Sequence, residues 1–239
     1  MNRALYAAAT GMAAQQQNLD VIADNLANAD VTGFKGAQAT FAALGGDASL
    51  GTAETGVRHL FGQGKLVRSG GPFDVAIDGP GFFSLERGGE RAYTRAGAFS
   101  RSADGTLRNA DGWTLQGVRI PAGATSATVA SDGRVSGTVD GKAATFGRIR
   151  LADFPAPERL RSLGSALFAA TPASGAPRGV AAGGDRQPKL VFGALEKSNV
   201  SIVEAMMGIL AAQRAYEADA KGVQAADEML RIANNLHRS

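Results

Sequence analysis

All eight prolines and 27 of the 32 glycines of this 239-residue chain fall between Gly45 and Gly193. Proline breaks a helix interior and glycine weakens it, so long helices are confined to the two ends. Both ends carry apolar residues at seven-residue spacing. The first row is Leu5, Met12, Leu19 and Leu26, with Ala8 and Ile22 three positions after Leu5 and Leu19. The second is Ile202, Ile209, Tyr216, Val223 and Leu230, with Ala205, Ala212, Ala226 and Ala233 three positions on. Such rows form a seam that a solitary straight helix cannot bury. The expected fold is α+β: N- and C-terminal helices pairing in a coiled-coil-like module around an antiparallel β-rich centre. The expected division is 1–44 for the first helix and its turn, 45–194 for the central domain and 195–239 for the last helix.

The first helix is expected from an Asn2 cap to about Asn28. Gly11 inside it marks close approach of a neighbouring backbone. Beyond it, Asn28 and Gly33 suit left-handed backbone, Asp30 and Thr32 suit local bonds to backbone N–H groups, and Phe34 supplies an apolar anchor. The last helix starts at Ser201, whose spacing to Glu204 makes a capping box, and runs to Leu236.

In the middle the period is two. The segments 56–61, 73–77 and 81–87 read as strands, as do 113–120 and 144–151. Four Asp-Gly pairs, at Asp104, Asp111, Asp132 and Asp140, separate short alternating runs, and Asp-Gly is a strong signal for a type I′ hairpin turn. The stretch 171–188 reads as loop.

Charge and chemistry constrain function more by what is missing. The formal net charge is +3 from 25 Lys and Arg against 22 Asp and Glu. No cationic run reaches four residues, so neither a basic face nor a nucleic-acid surface is expected. There is no cysteine, hence no disulfide and no thiolate chemistry. His59 and His237 lie far apart and read as solvated. DVAIDGPGFF (Asp74–Phe83) pairs two aspartates with glycines but lacks a phosphate-loop pattern and reads as strand, turn, strand. No enzyme, cofactor or metal is expected. Neither a cleaved signal peptide nor a membrane-spanning segment is legible.

The start, ALYAAATGMAAQQQNLDVIADNLANADVTGFK (Ala4–Lys35), resembles the N-terminal signature of the bacterial flagellar basal-body rod and hook proteins. The end, SNVSIVEAMMGILAAQRAYEADAKGVQAADEMLRIANNL (Ser198–Leu236), resembles their C-terminal helix. DVAIDGPGFF and AYTRAGAFSRSADGTLRNADGWTLQG (Ala92–Gly117) resemble the β domain of the longer members. The likeness is greatest to the distal-rod members, with a β-bearing proximal rod protein as the alternative. Two departures are Asp24 in place of a usual Asn and a short stretch between Phe41 and Gly56.

The resemblance implies a structural protein without an active site. Its members leave the cytoplasm unfolded through the flagellar type III export apparatus, without a cleaved signal. They polymerise helically into the hollow drive shaft that crosses the periplasm and carries torque from motor to hook. Helices of many subunits line the tube and β domains form its wall. The implied partners are further copies of itself, proximal rod proteins, the hook protein and the surrounding ring that acts as a bushing. The expected assembly seam is Leu5, Met12, Leu19, Ile22, Leu26, Ile202, Ile209, Tyr216, Val223 and Leu230. The turn motif is Asn25, Asn28, Gly33 and Phe34, and the β-domain motif is Asp74, Asp78, Gly79, Gly81, Phe82 and Phe83. An alternative of another class is a periplasmic enzyme or sugar-binding β module with oligomerising helices, which converging carboxylates in a β-domain cleft would favour.

Overall fold

The two proline-free ends form the long helices of a computed structural model that describes residues 3–44, 51–184 and 187–236. Helix α1 spans Arg3–Ala27 and α2 spans Ile202–Leu236. The Ser201 hydroxyl accepts from the Glu204 N–H at 3.3 Å, and the Ser201 carbonyl from the Ala205 N–H, which starts α2 where the capping box places it. The Asn2 cap lies outside the described residues.

Two compact units emerge. One comprises Met1–Ala27, Ala37–Arg58 and Val200–Ser239. Within it α1 packs on α2, and a two-stranded sheet joins β1 (Ala37–Leu44) to β2 (Gly51–His59). Strand β2, which a boundary at residue 45 assigns to the centre, thus clusters with the helices. A Cβ on Gly11 would sit 2.7 Å from an Asp219 carboxylate oxygen, and one on Gly208 would sit 3.2 Å from the Ile22 side chain. An advance of eleven residues along α1 matches a retreat of eleven along α2, so the helices run antiparallel. What approaches Gly11 is a side chain, not the expected backbone. Among the described residues no helix is long and apolar enough to cross a membrane.

The other unit comprises Asn28–Gly36 and His59–Asn199. Its strands are β3 (Leu66–Arg68), β4 (Val75–Asp78), β5 (Phe82–Arg87), β6 (Glu90–Thr94), β7 (Ser100–Arg101), β8 (Thr106–Arg108) and β9 (Thr114–Arg119). They continue as β10 (Ala124–Val129), β11 (Arg134–Val139), β12 (Lys142–Arg148), β13 (Leu151–Asp153) and β14 (Arg161–Gly164). The last are β15 (Leu167–Ala169), β16 (Arg178–Val180), β17 (Lys189–Phe192) and β18 (Ala194–Glu196). The main sheet runs β10-β11-β12-β9-β5-β6-β15-β14, with β13 linking β5 to β16, while β4 pairs with β17 and β3 with β18. Strand β16 interrupts the stretch expected to be loop.

Each Asp-Gly pair joins antiparallel neighbours: β7 to β8, β8 to β9, β10 to β11 and β11 to β12. Only at Asp140–Gly141 do both residues have positive φ, 50° and 76°, the signature of a type I′ turn. At two of the others the Asp side chain closes the turn instead. Asp104 accepts from the Thr106 N–H and hydroxyl, and Asp132 from the Arg134 N–H. Bonds from Thr106 hold the Asp104 carboxyl down to about 2.

Alternation along β5 sends its two phenylalanines to opposite faces. Phe83 enters the main core with Val75, Ile77, Leu85, Leu115 and Ile120. Phe82 joins a second cluster with Tyr93, Phe154 and Phe168.

Candidate functional sites: two helix faces and a buried charge cluster

Of the expected seam, Leu5, Met12, Leu19, Ile22 and Leu26 are each half-buried on α1, as are Ile209 and Val223 on α2. Ile202 and Tyr216 are exposed, and the side chains of Leu230 and Ala233 lie outside the described residues. The most deeply buried positions of α2 are Ala205, Ala212 and Ala226, the alanines three residues after the large apolar ones. Asp219 occupies the same heptad position, opposite Gly11. Small side chains there let α1 approach closely, which is why the bulkier row is pushed to the flank.

A second apolar row lies on the far side of α2. Val203, Met206, Met207 and Leu210 are 54–66% exposed, followed by Met229 and Ile232. Their i, i+3, i+4, i+7 spacing makes one continuous stripe. At 100° per residue the stripe lies about 180° around the helix from the alanine row, so it plays no part in the α1–α2 contact.

The turn motif has a specific geometry. Asn25 donates to the Ala37 carbonyl and accepts from the Ala37 N–H, both at 2.7 Å. One amide side chain thereby brackets the chain on either side of residues 28–36. Asn28 does not adopt the expected left-handed backbone; its carbonyl accepts from the Val31 N–H. Gly33 does, at φ 69°, with its N–H donated to the Glu196 carbonyl at 2.7 Å. Phe34 is half-buried.

Beside Gly33 sits a cluster that sequence reasoning missed. Lys35 Nζ lies 2.6 Å from Glu196 Oε1, and Arg95 Nε lies 2.9 Å from Glu196 Oε2. Lys35 also donates to the Gly62 carbonyl, and the Gly64 N–H to Glu196 Oε1. Arg95 NH1 donates to the carbonyls of Gly79 and Gly81, and NH2 to that of Ile77. All three charged side chains are buried. Burial lowers the Lys35 pKa and the Arg95 charge lowers it further, against the opposing pull of Glu196. The cluster ties the turn after α1, the DGPG turn and the segment before α2 into one polar knot. Lys35 and Arg95 stand inside the motifs that carry the family resemblance and Glu196 two residues before the last of them, but a lone Lys, Arg or Glu in a sequence reads by default as solvated.

The DGPG turn is therefore wrapped around Arg95. Gln63 braces it: its Oε1 accepts from the Gly79 N–H at 3.0 Å, and its Nε2 donates to the Ile77 carbonyl at 3.3 Å. Asp78 receives only a 3.4 Å contact from Gln63. Asp74 is buried and accepts from the Ser69 hydroxyl. His59 is half-buried, and its ring lies edge-on to Phe168 with centroids 5.1 Å apart. His237 lies outside the described residues. A groove along β5, β6 and β9 is lined by arginines rather than converging carboxylates.

Family comparisons agree at both ends and in the centre. A family model described as "Flagella basal body rod protein" matches residues 5–35. "Flagellar hook protein FlgE/F/G D1 domain" matches 76–137, and "Flagellar basal body rod FlgEFG protein C-terminal" matches 192–236. The flagellar basal-body rod protein FlgG of Agrobacterium fabrum is 39% identical, covering 97% of this chain and 98% of its own. FlgG of Caulobacter vibrioides is 36% identical, covering 98% and 99%. FlgF of the same organism is 32% identical, covering 98% and 97%. Full-length similarity at this level, with helices and β sheet where the three models fall, identifies the chain as a member of the FlgG family of flagellar basal-body rod proteins, a structural subunit and not an enzyme.

Proposed function

We propose that this chain builds the distal rod, polymerising helically through its terminal helices into the hollow shaft that carries torque from motor to hook. The observation that carries this reading is the stripe of Val203, Met206, Met207 and Leu210, which α1 leaves uncovered. Burying each such side chain contributes about 1.5–3 kcal/mol, so further copies can be held by a face already formed in one subunit. The half-buried rows of α1 and α2 flank that contact in a coiled-coil-like module. Proximal rod proteins, the hook protein and a surrounding bushing ring are its neighbours where the rod crosses the periplasm, and the flagellar type III apparatus delivers it.

The test is to locate the chain by labelled antibody along purified basal bodies, and to repeat this with Leu210→Asp. Label between proximal rod and hook is expected, with rods lost in the variant. Label elsewhere would overturn the distal assignment, and intact rods with Leu210→Asp would overturn the role of the stripe.

A further inference from the structure

The absence of a cationic run does not leave the β unit without a basic face. Strands β5, β6 and β9 lie side by side, with Glu86 opposite both Arg91 and Thr114. The pleat turns Phe83, Leu85 and Leu115 into the core and sends Ser84, Glu86, Arg91 and Gln116 to the other face. Along that face runs an open groove of about 820 Å³, lined by Arg87, Arg91, Arg108, Arg119 and Arg150 with Glu86. A hollow of about 380 Å³ shares Arg91, Gln116 and Arg150 with it and adds Arg148. These six arginines line the two hollows with Glu86 as the carboxylate among them; Arg87, in step with Phe83 and Leu85, turns to Trp113 and leaves five on the face of Glu86.

The six differ in their engagement. Arg87 lies 4.5 Å over the Trp113 ring and donates to the Asp111 carbonyl. Arg108 pairs with Asp104 at 2.7 Å, Arg119 donates to the Asp104 carbonyl, and Arg148 reaches Asp132 at 3.5 Å. Arg91 and Arg150 form no side-chain hydrogen bond or ion pair among the described residues. Glu86, across the strand pair from Arg91, is engaged by Gln116 at 2.7 Å. Two exposed guanidinium groups without a bound counter-charge present forked N–H donors matched to a carboxylate.

We propose that this groove docks a carboxylate-rich segment of another basal-body protein, with Arg91 and Arg150 as the residues that recognise its acids. The proposal rests on the rod reading for the presence of such a neighbour. Charge is segregated to suit it. The residues of the β unit carry 19 Lys and Arg against 13 Asp and Glu, a net +6, and the remainder carry 6 against 9, a net −3, which together restore +3. A second copy offers a poorer match, since Asp20 on α1 is already engaged by Gln16 and Asp219 on α2 lies against Gly11. Also on α2, Glu217 stands one turn before Lys221 and Asp227 one turn before Arg231, so these two acids have a cation beside them. A nucleic acid or glycan is disfavoured because Trp113, Phe146 and Tyr93 beside the groove are buried, leaving no aromatic platform to stack on.

The experiment is fluorescence anisotropy of a labelled poly-glutamate peptide with the full chain at low and physiological salt. Binding at neutral pH is expected, weakened at higher salt and lost below about pH 4 as the carboxylates protonate. Arg91→Ala with Arg150→Ala should weaken it by about tenfold or more, and lysine at both positions should restore only part. Arg68→Ala with Arg161→Ala, two exposed arginines outside the groove, should change it little. An unchanged thermal melt is expected for the groove variant, since neither side chain has an internal partner. No binding, equal loss in both double variants, or tighter binding of an oligonucleotide or anionic oligosaccharide would overturn the proposal. A fall in self-association of the groove variant by sedimentation would reassign the groove to a second copy and overturn the stated partner. If the chain is present in rods but does not bind peptide, only the groove fails; if it binds peptide but is absent from rods, the rod reading fails.

Discussion

Lys35 and Glu196, 161 positions apart, meet as an ion pair whose side chains are both fully buried, and Arg95 holds the second oxygen of the same carboxylate. Two cations thus share one anion away from water. Such an arrangement tolerates loss of a cation better than loss of the anion.

Glu196→Gln leaves two buried cations facing each other without a counter-charge, at a cost of about 3–5 kcal/mol. Lys35→Met leaves Arg95 and Glu196 matched one to one and should cost clearly less. Trp113 is the sole tryptophan and is buried in the β unit, so urea unfolding followed by its fluorescence reads both variants. Equal destabilisation would show that the cluster is not organised around Glu196.

The depressed Lys35 pKa has a consequence for pH. The folded chain holds that proton less tightly than the unfolded one, whose lysine titrates near the usual 10.5. Between the lowered folded value and 10.5 the unfolded state binds more protons, so the Lys35 contribution to stability rises with pH across that window and falls as pH drops through the folded value. Urea midpoints of wild type and Lys35→Met, compared from about pH 8 to 10.5, should therefore diverge in favour of wild type at the alkaline end. Divergence in the other direction would mean the pairing with Glu196 outweighs desolvation.

At Gly33 a side chain faces two obstacles. Its φ is 69°, and a Cβ would lie 2.3 Å from the Ala96 nitrogen. Gly33→Ala should cost about 2–4 kcal/mol, combining left-handed strain with overpacking against backbone. Gly112→Ala is the control, since its φ is 79° but nothing lies within 4 Å of the added atom; strain alone, about 1–2 kcal/mol, is expected there. Thermal melts of the two variants separate the terms.

The two faces of α2 should respond differently. Ala212 is buried in the α1–α2 contact, so Ala212→Leu should destabilise the helix pair by about 1–3 kcal/mol through overpacking. Met207 is 58% exposed, so Met207→Glu should leave the melt within about 0.5 kcal/mol and yet prevent rod assembly. Circular dichroism melts and electron microscopy of rods read the two effects. A motile strain carrying Met207→Glu would remove the stripe from the assembly contact.

The sequence by itself determined where the long helices lie, because proline and glycine are confined to the middle and Ser201 caps α2 without outside help. It determined the four Asp-Gly hairpins and the split destinations of Phe82 and Phe83, since turn chemistry and the two-residue strand period act over a few neighbours. It also displayed the family motifs. It did not reveal which seam residues are deepest, because Leu and Ala at heptad spacing look equally core-like until a partner's distance is known, and Gly11 and Gly208 set that distance short. The Lys35–Arg95–Glu196 cluster and the arginine groove were beyond it altogether. Their members are scattered along the chain and are individually ordinary charged residues. Only tertiary structure decides whether such charges face water, each other or a common groove, because Coulombic partners are chosen by distance in space and not by position in sequence.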